Sequence, residues 1–344
     1  MSESGLPVGA PQPEPLANQP ILRHVLACVD APPLAIDAAP FTEAILAHSV
    51  AVAEAIGARI TVMHVLELPA AQEPMDPVEW ALRHRDATAY LQEHRSRIGD
   101  LYADAVIVAG PPAERISAWA QDNAVDLIVL GRDGESDGSF VQLGDTARRV
   151  AEVANASVLL VPSMRSGNRS VHYRKVIVPL DGSSRSECAL PLGLKIATAH
   201  EAEMLLVHAA PKVDLIESDL LDEEAVALRD RLYRRNERTA RLYLDGVRSR
   251  LPATPTTRTR LLPSGDARRA LAHTAAEEGA DLMVLSSAGK SGHADMSVGS
   301  VADYLINHMN IPVLLIRQHK RNPQTAHRNP DHAMDTRLPS QGMM

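Results

Sequence analysis

The sequence predicts an α/β protein made of two tandem, doubly wound, five-stranded parallel sheets. Three observations lead there. Residues 110–161 align without a gap onto 265–316 at a constant offset of 155, VDLIVLGRDGE recurring as ADLMVLSSAGK. A repeat of that size is too long for a solenoid, whose units run to about 20–50 residues, so it marks a duplicated domain. Hydrophobic residues make up 45% of the chain with only two Trp and two Phe, an aliphatic composition suited to buried parallel strands under Ala- and Leu-rich helices. Short β-rich apolar runs alternate with helical patterns, the signature of βα units joined by right-handed crossovers.

The elements follow in order. Residues 1–20 are Pro-rich with little to bury and are read as a disordered arm. The first domain, 21–163, begins with a strand over 22–30 and a helix over 41–56 that Gly57 closes. Strand 59–66, helix 77–98, strand 103–109, helix 113–123, strand 126–130, helix 140–153 and strand 157–161 complete it. A polar linker covers 164–173, with polar sequence starting at Pro162. The second domain, 174–317, repeats the order. It has strand 175–180, helix 186–199, strand 203–208, a long charged helix 219–250 and strand 257–262. Helix 267–278, strand 281–286, helix 298–309 and strand 312–316 follow. Residues 318–344 are expected to form a disordered tail.

Charge and composition exclude several classes. A formal charge of −8 opposes a general nucleic-acid binder, which needs a dominant basic surface. No run reaches the 18 or so apolar residues that span a bilayer. The acidic, Pro-rich N-terminus lacks the pattern of a signal peptide. Two cysteines, Cys28 and Cys188, make no disulfide framework. The expectation is a cytoplasmic protein that contacts neither membrane nor nucleic acid.

Chemistry concentrates just beyond the fourth strand of each copy, where open α/β sheets bind ligands. The first copy reads Gly131-x2-Gly134-x9-Gly144-Asp145 and the second Ser286-x2-Gly289-x9-Gly299-Ser300. Glycines let main-chain N–H groups approach an anion, and a helix starting at Ser300 adds its N-terminal amides. Lys290 and Ser291 place a cation and a hydroxyl in the second loop. The first strand of each copy ends in an acid, Asp30 or Asp181, and the second in a histidine, His64 or His208. A glycine, Gly110 or Gly265, follows the third.

This ordered set resembles the universal stress protein family, whose nucleotide-binding members carry G-x2-G-x9-G-[ST], and the likeness covers nearly all of 22–317 as a tandem pair. The resemblance implies a Rossmann-like fold of the adenine nucleotide alpha hydrolase type and an adenosine pocket lined here by Asp181 and Ala209. It also implies ATP, with or without Mg²⁺, as cofactor and stress-linked regulation as the role. A second copy of the chain and an unspecified regulatory protein are the further partners implied. The last strands, 158–161 and 313–316, are apolar enough to pair with each other inside one chain.

The copies are unequal. The first keeps three glycines but sets Asp145 where the pattern has Ser or Thr, with Asp133, Glu135 and Asp137 against one basic Arg132. Carboxylates oppose a polyphosphate by about 1 kcal/mol per pair at 4 Å in water. The second domain is therefore the expected site, on Asp181, Ala209, Gly265, Ser286, Gly289, Lys290, Ser291, Gly299 and Ser300. Asp30, Gly131, Gly134 and Gly144 form the weaker one. Two other classes stay open: a slow ATPase or nucleotide hydrolase, and a scaffold whose motifs are relics. No catalytic triad can be assembled from the spacing, and GKS at 289–291 lacks the upstream glycine of a P-loop. His64 and His208 are read as structural. Cys188 is read as a packing residue, and the Arg-rich stretch 228–244 as a solvated helix face with Leu232, Tyr243 and Leu244 packing inward.

Overall fold

The computed structural model describes residues 22–30, 39–67, 76–132, 143–162, 170–210, 223–263, 265–287 and 298–317, together with 336–337. The first half contains β1 (His24–Cys28), α1 (Ala39–Ile56), β2 (Arg59–Leu66), α2 (Pro77–Ile98) and, after a 3-10 turn, β3 (Tyr102–Ala109). It continues through α3 (Pro112–Asp122), β4 (Leu127–Gly131), α4 (Asp145–Val153) and β5 (Ser157–Val161). The second half contains β6 (Lys175–Leu180), α5 (Ser184–Glu187), α6 (Leu190–Ala199), β7 (Glu203–Ala209), α7 (Glu223–Ser249) and β8 (Thr257–Leu262). It ends with α8 (Ala267–Glu277), β9 (Leu282–Ser286), α9 (Ser300–His308) and β10 (Val313–Ile316).

Each half is a five-stranded parallel sheet of the doubly wound type, and the two are joined into one. The strands run β3-β2-β1-β4-β5-β10-β9-β6-β7-β8. Only the central join is antiparallel in this run, with Leu159 opposite Leu314 and Leu160 opposite Val313. The last strands of the repeats thus pair within one chain, as their apolar sequences suggest. A two-residue strand, β11 (Thr336–Arg337), lies antiparallel on β3; the rest of the C-terminal tail and residues 1–20 lie outside the described residues.

Helices cover both faces of this sheet, so the strands are buried on both sides and read as continuous apolar runs. One layer of core joins α1, α2, α6 and α7 to the sheet, the other joins α3, α4, α8 and α9, and both continue from one half into the other. Leu159 and Leu314 are fully buried at the join, where truncation to Ala costs about 2–5 kcal/mol.

The repeated Asp in each half has a structural task. The Asp126 carboxylate accepts the Arg23 and His24 amides at 2.7 and 3.1 Å. Asp281, 155 residues later, accepts those of Arg174 and Lys175 at 2.8 and 3.0 Å. Each acid pins the start of the central strand of its half, supplying a partner for amides that the ladder leaves unpaired.

Two expectations are corrected. The helix expected over 186–199 is broken into α5 and α6. Pro191 sits in the first turn of α6, and a ring without N–H cannot continue a preceding helix. The polar linker ends in a buried residue: Tyr173 is 1% exposed, and its hydroxyl hydrogen-bonds His48 Nδ1 of α1 at 2.7 Å.

Candidate binding clefts

The larger cleft, about 540 Å³, opens at the carboxyl ends of β6, β7 and β9. Asp181, Ala209, Ser286, Gly299 and Ser300 all line it. Gly265 does not, and Gly289, Lys290 and Ser291 lie outside the described residues.

Local chemistry holds each group in place. Directly after Asp181 the chain turns at Gly182 with φ +81°, a conformation that glycine adopts without steric cost. Asp181 Oδ1 accepts the Ser183 amide at 2.9 Å and the Ser183 hydroxyl at 2.6 Å. Ser183 Oγ in turn caps α5 by accepting the Ser186 amide at 3.1 Å. His208 Nδ1–H donates to the Leu180 carbonyl at 2.7 Å, which fixes the ring tautomer and ties β7 to the end of β6. His64 repeats that bond to the Val29 carbonyl at 2.9 Å in the first half, and burial lowers its pKa. Both histidines are structural, as the sequence suggests.

The far end of the cleft is a helix start. The Gly299 amide donates to the Ser287 carbonyl at 2.7 Å, so the two ends of the segment 288–298 meet. α9 begins at Ser300 after a glycine N-cap, with no side-chain cap among the described residues, which sets first-turn N–H groups and the positive end of the helix dipole at the cleft. Cys188 hydrogen-bonds Ser286, and burial pushes its thiol up to about 11. A protonated, buried thiol is a packing group rather than a nucleophile.

One wall was not foreseen. Asn236, Thr239, Ala240 and Tyr243 of α7 also line the cleft, at the i, i+3, i+4, i+7 spacing of one helix stripe. Tyr243 packs on His208 with ring centroids 5.6 Å apart. The signal lay in the sequence as N-x2-T-A-x2-Y, hidden among arginines that dominate the hydropathy pattern.

The equivalent cleft of the first half is smaller, about 300 Å³. Asp30, Gly131 and Gly144 line it, along with Glu67, Asp145, Phe41 and Ile45; Gly134 lies outside the described residues. A Cβ on Gly131 would lie 3.2 Å from Phe41 Cδ1, so here the missing side chain makes room for a phenyl ring. Arg132 is no part of an anion loop. It is 1% exposed, turns into the join between the halves and donates through Nη1 to the Met309 carbonyl. Among the described residues no group of three His, Cys, Asp or Glu is placed to hold a metal, and no helix is long and apolar enough to cross a membrane.

Comparison with known proteins gives a consistent result. A profile of the universal stress protein family matches residues 23–162 and again 172–317. A universal stress protein of Mycobacterium bovis is 27% identical over 196 residues, covering 57% of this chain and 63% of that protein, less than two thirds of its length. One from Thermus aquaticus is 30% identical over 147 residues, 42% of this chain and 99% of its own. The crystal structure of a universal stress protein from Archaeoglobus fulgidus superposes with a TM-score of 0.60 at 17% identity, over 86% of this chain and 98% of that one, a likeness of fold.

Proposed function

The chain belongs to the universal stress protein family, and from that premise we propose that its second half binds an adenine nucleotide, ATP in the first instance, and that the protein acts as a stress-response sensor or regulator. The observation that carries the reading is that Asp181 and the α9 start at Gly299 and Ser300 line one cleft. Polyphosphate would take the first-turn amides of α9 and the Ser300 hydroxyl, while Asp181 would accept hydrogen bonds from the nucleoside. The apolar lining of Leu180, Ala240 and the Tyr243 ring suits a base, and a few convergent polar groups would set its orientation.

The same reasoning ranks the halves. In the first cleft a carboxylate, Asp145, stands at the first position of α4, where it takes up the favourable field of the helix and repels phosphate. Phe41 fills space beside Gly131. The second cleft presents Asp181 as its one carboxylate among the described lining residues, with serines at 186, 286, 287 and 300. Mg²⁺ arriving with ATP would be held by phosphate oxygens, water and Ser300 Oγ, since the described residues of the cleft include no cluster of carboxylates for a resident ion.

Regulation requires that nucleotide bind two forms of the protein with different affinity, and a second copy or a regulatory partner would read that difference. Cys28 and Cys188, both buried free thiols, fit a reducing, cytoplasmic setting. Purified protein denatured by heat should release adenine nucleotide into the supernatant, or take it up in equilibrium titration when prepared empty. A chain that does neither at millimolar ATP does not have this function.

A further inference from the structure

We propose that Asn236 reads the base of the bound nucleotide, an inference that rests on the adenine-nucleotide reading above. A ligand whose phosphates lie at Ser300 extends across the ends of β9, β6 and β7, and α7 stands on the far side of β7. Tyr243 fixes the height of that helix by packing on His208 at the end of β7. Asn236, seven residues nearer the α7 N-terminus, is then about 10 Å further out along the same stripe, facing the outer part of the cleft that it lines.

Among the described lining residues Asn236 is the one carboxamide, beside hydroxyls, a histidine and Asp181. Asp181 is engaged by Ser183, the Ser186 hydroxyl donates to the Ser183 carbonyl at 2.8 Å, and His208 is tied to Leu180. The Asn236 carboxamide makes no hydrogen bond among the described residues, yet it is half-buried against the cleft. It carries a donor and an acceptor side by side on one planar group. That pair matches the amino and ring-nitrogen edge of adenine, the bidentate contact by which Asn selects adenine elsewhere. On that edge guanine presents two acceptors, its carbonyl and its ring nitrogen, so an amide turned either way can satisfy only one of them. A carboxylate at 236 accepts two bonds and donates none, which suits guanine once the base turns to present its N1–H and amino group.

Competition of ATP and GTP against a fluorescent ATP analogue, using the full chain, tests this. The natural protein should prefer ATP by about tenfold or more. Asn236→Ala should weaken ATP by a similar factor and bring the ATP:GTP ratio close to one. Asn236→Asp should favour GTP, while Ser300→Ala, at the phosphate end, should weaken both nucleotides equally and leave the ratio unchanged. Asn236 lies on a helix surface, and Ala is the better helix former there, so loss of fold does not confuse the result. If both Asn236 variants bind ATP with the natural ratio, the inference is wrong and the nucleotide reading stands. If the natural protein binds neither nucleotide, both fall.

Discussion

The hydroxyl of Tyr173, the last residue of the linker, meets Nδ1 of His48 at 2.7 Å inside the layer formed by α1 and α6. His200 of the second half packs edge-on against the same tyrosine, centroids 5.0 Å apart, and its Nε2–H donates to the Ala51 carbonyl at 3.2 Å. The halves are therefore fastened on this face by polar contacts in addition to the sheet. Tyr173→Phe keeps the ring and removes one buried hydrogen bond, leaving His48 unsatisfied. The unfolding free energy in urea should fall by about 1–3 kcal/mol. An unchanged midpoint would show that the bond contributes nothing.

Burial of His48 makes the protein acid-sensitive. Burial lowers the His48 pKa from 6.5 to about 4, and it lowers those of His24, His64 and His200 as well. Between those two values the unfolded chain binds a proton that the folded chain refuses, so stability is complete above pH 6.5 and declines as pH drops toward 4. Each such histidine contributes a slope of up to about 1.4 kcal/mol per pH unit. Urea midpoints at pH 7.5 and 5.0 should differ clearly, and His48→Gln should reduce the difference. Equal midpoints in the natural protein would contradict the buried neutral state.

Arg132 gives a prediction of the opposite sign. One of its nitrogens donates to Met309, while Nε and Nη2 have no hydrogen-bond partner among the described residues. Burial brings its pKa down to about 10. An incompletely paired charge in a core is commonly no better than a hydrophobic residue of similar size. Arg132→Met should leave thermal stability unchanged or raise it by a few degrees; a marked loss would mean that the single bond across the join outweighs desolvation.

The thiols should be silent in the folded state. Cys188 and Cys28 are 5% and 7% exposed, and burial raises both pKa values. A disulfide reagent at pH 7.5 should label neither within minutes, and both at once in urea. Rapid labelling of either thiol in native protein, Cys28 in the lining of the first cleft or Cys188 beside Ser286, would contradict their burial.

Most of the architecture was legible because it rests on local period and on repetition. The bounds of β2, α2, β5, β6 and β8 coincide with the expected ones: apolar runs flanked by Gly, Pro or Asp define β2, β5 and β6, Asp76 and Pro77 open α2, and Pro255 and Pro263 bracket β8. What was missed depends on distant contacts. Burial of Arg132 needs a carbonyl 177 residues away, and nothing in its neighbours distinguishes it from a loop cation. Tyr173 sits in a polar stretch, and its partner is 125 residues earlier. Asn236 and Thr239 were masked by arginines on the outer side of the same helix, where periodicity reports the charged face and not the cleft-lining one. The glycines illustrate the limit further: Gly131 fits the phosphate-loop spacing, yet its space is taken by Phe41.

Calorimetric titration of ATP into the natural chain, Asp181→Ala and Asp30→Ala tests the central claim most directly. The account predicts binding by the natural chain, a weakening of at least about tenfold for Asp181→Ala through loss of a charge-assisted contact, and an unchanged isotherm for Asp30→Ala. Loss of binding in the Asp30 variant alone would contradict it and move the site to the first half.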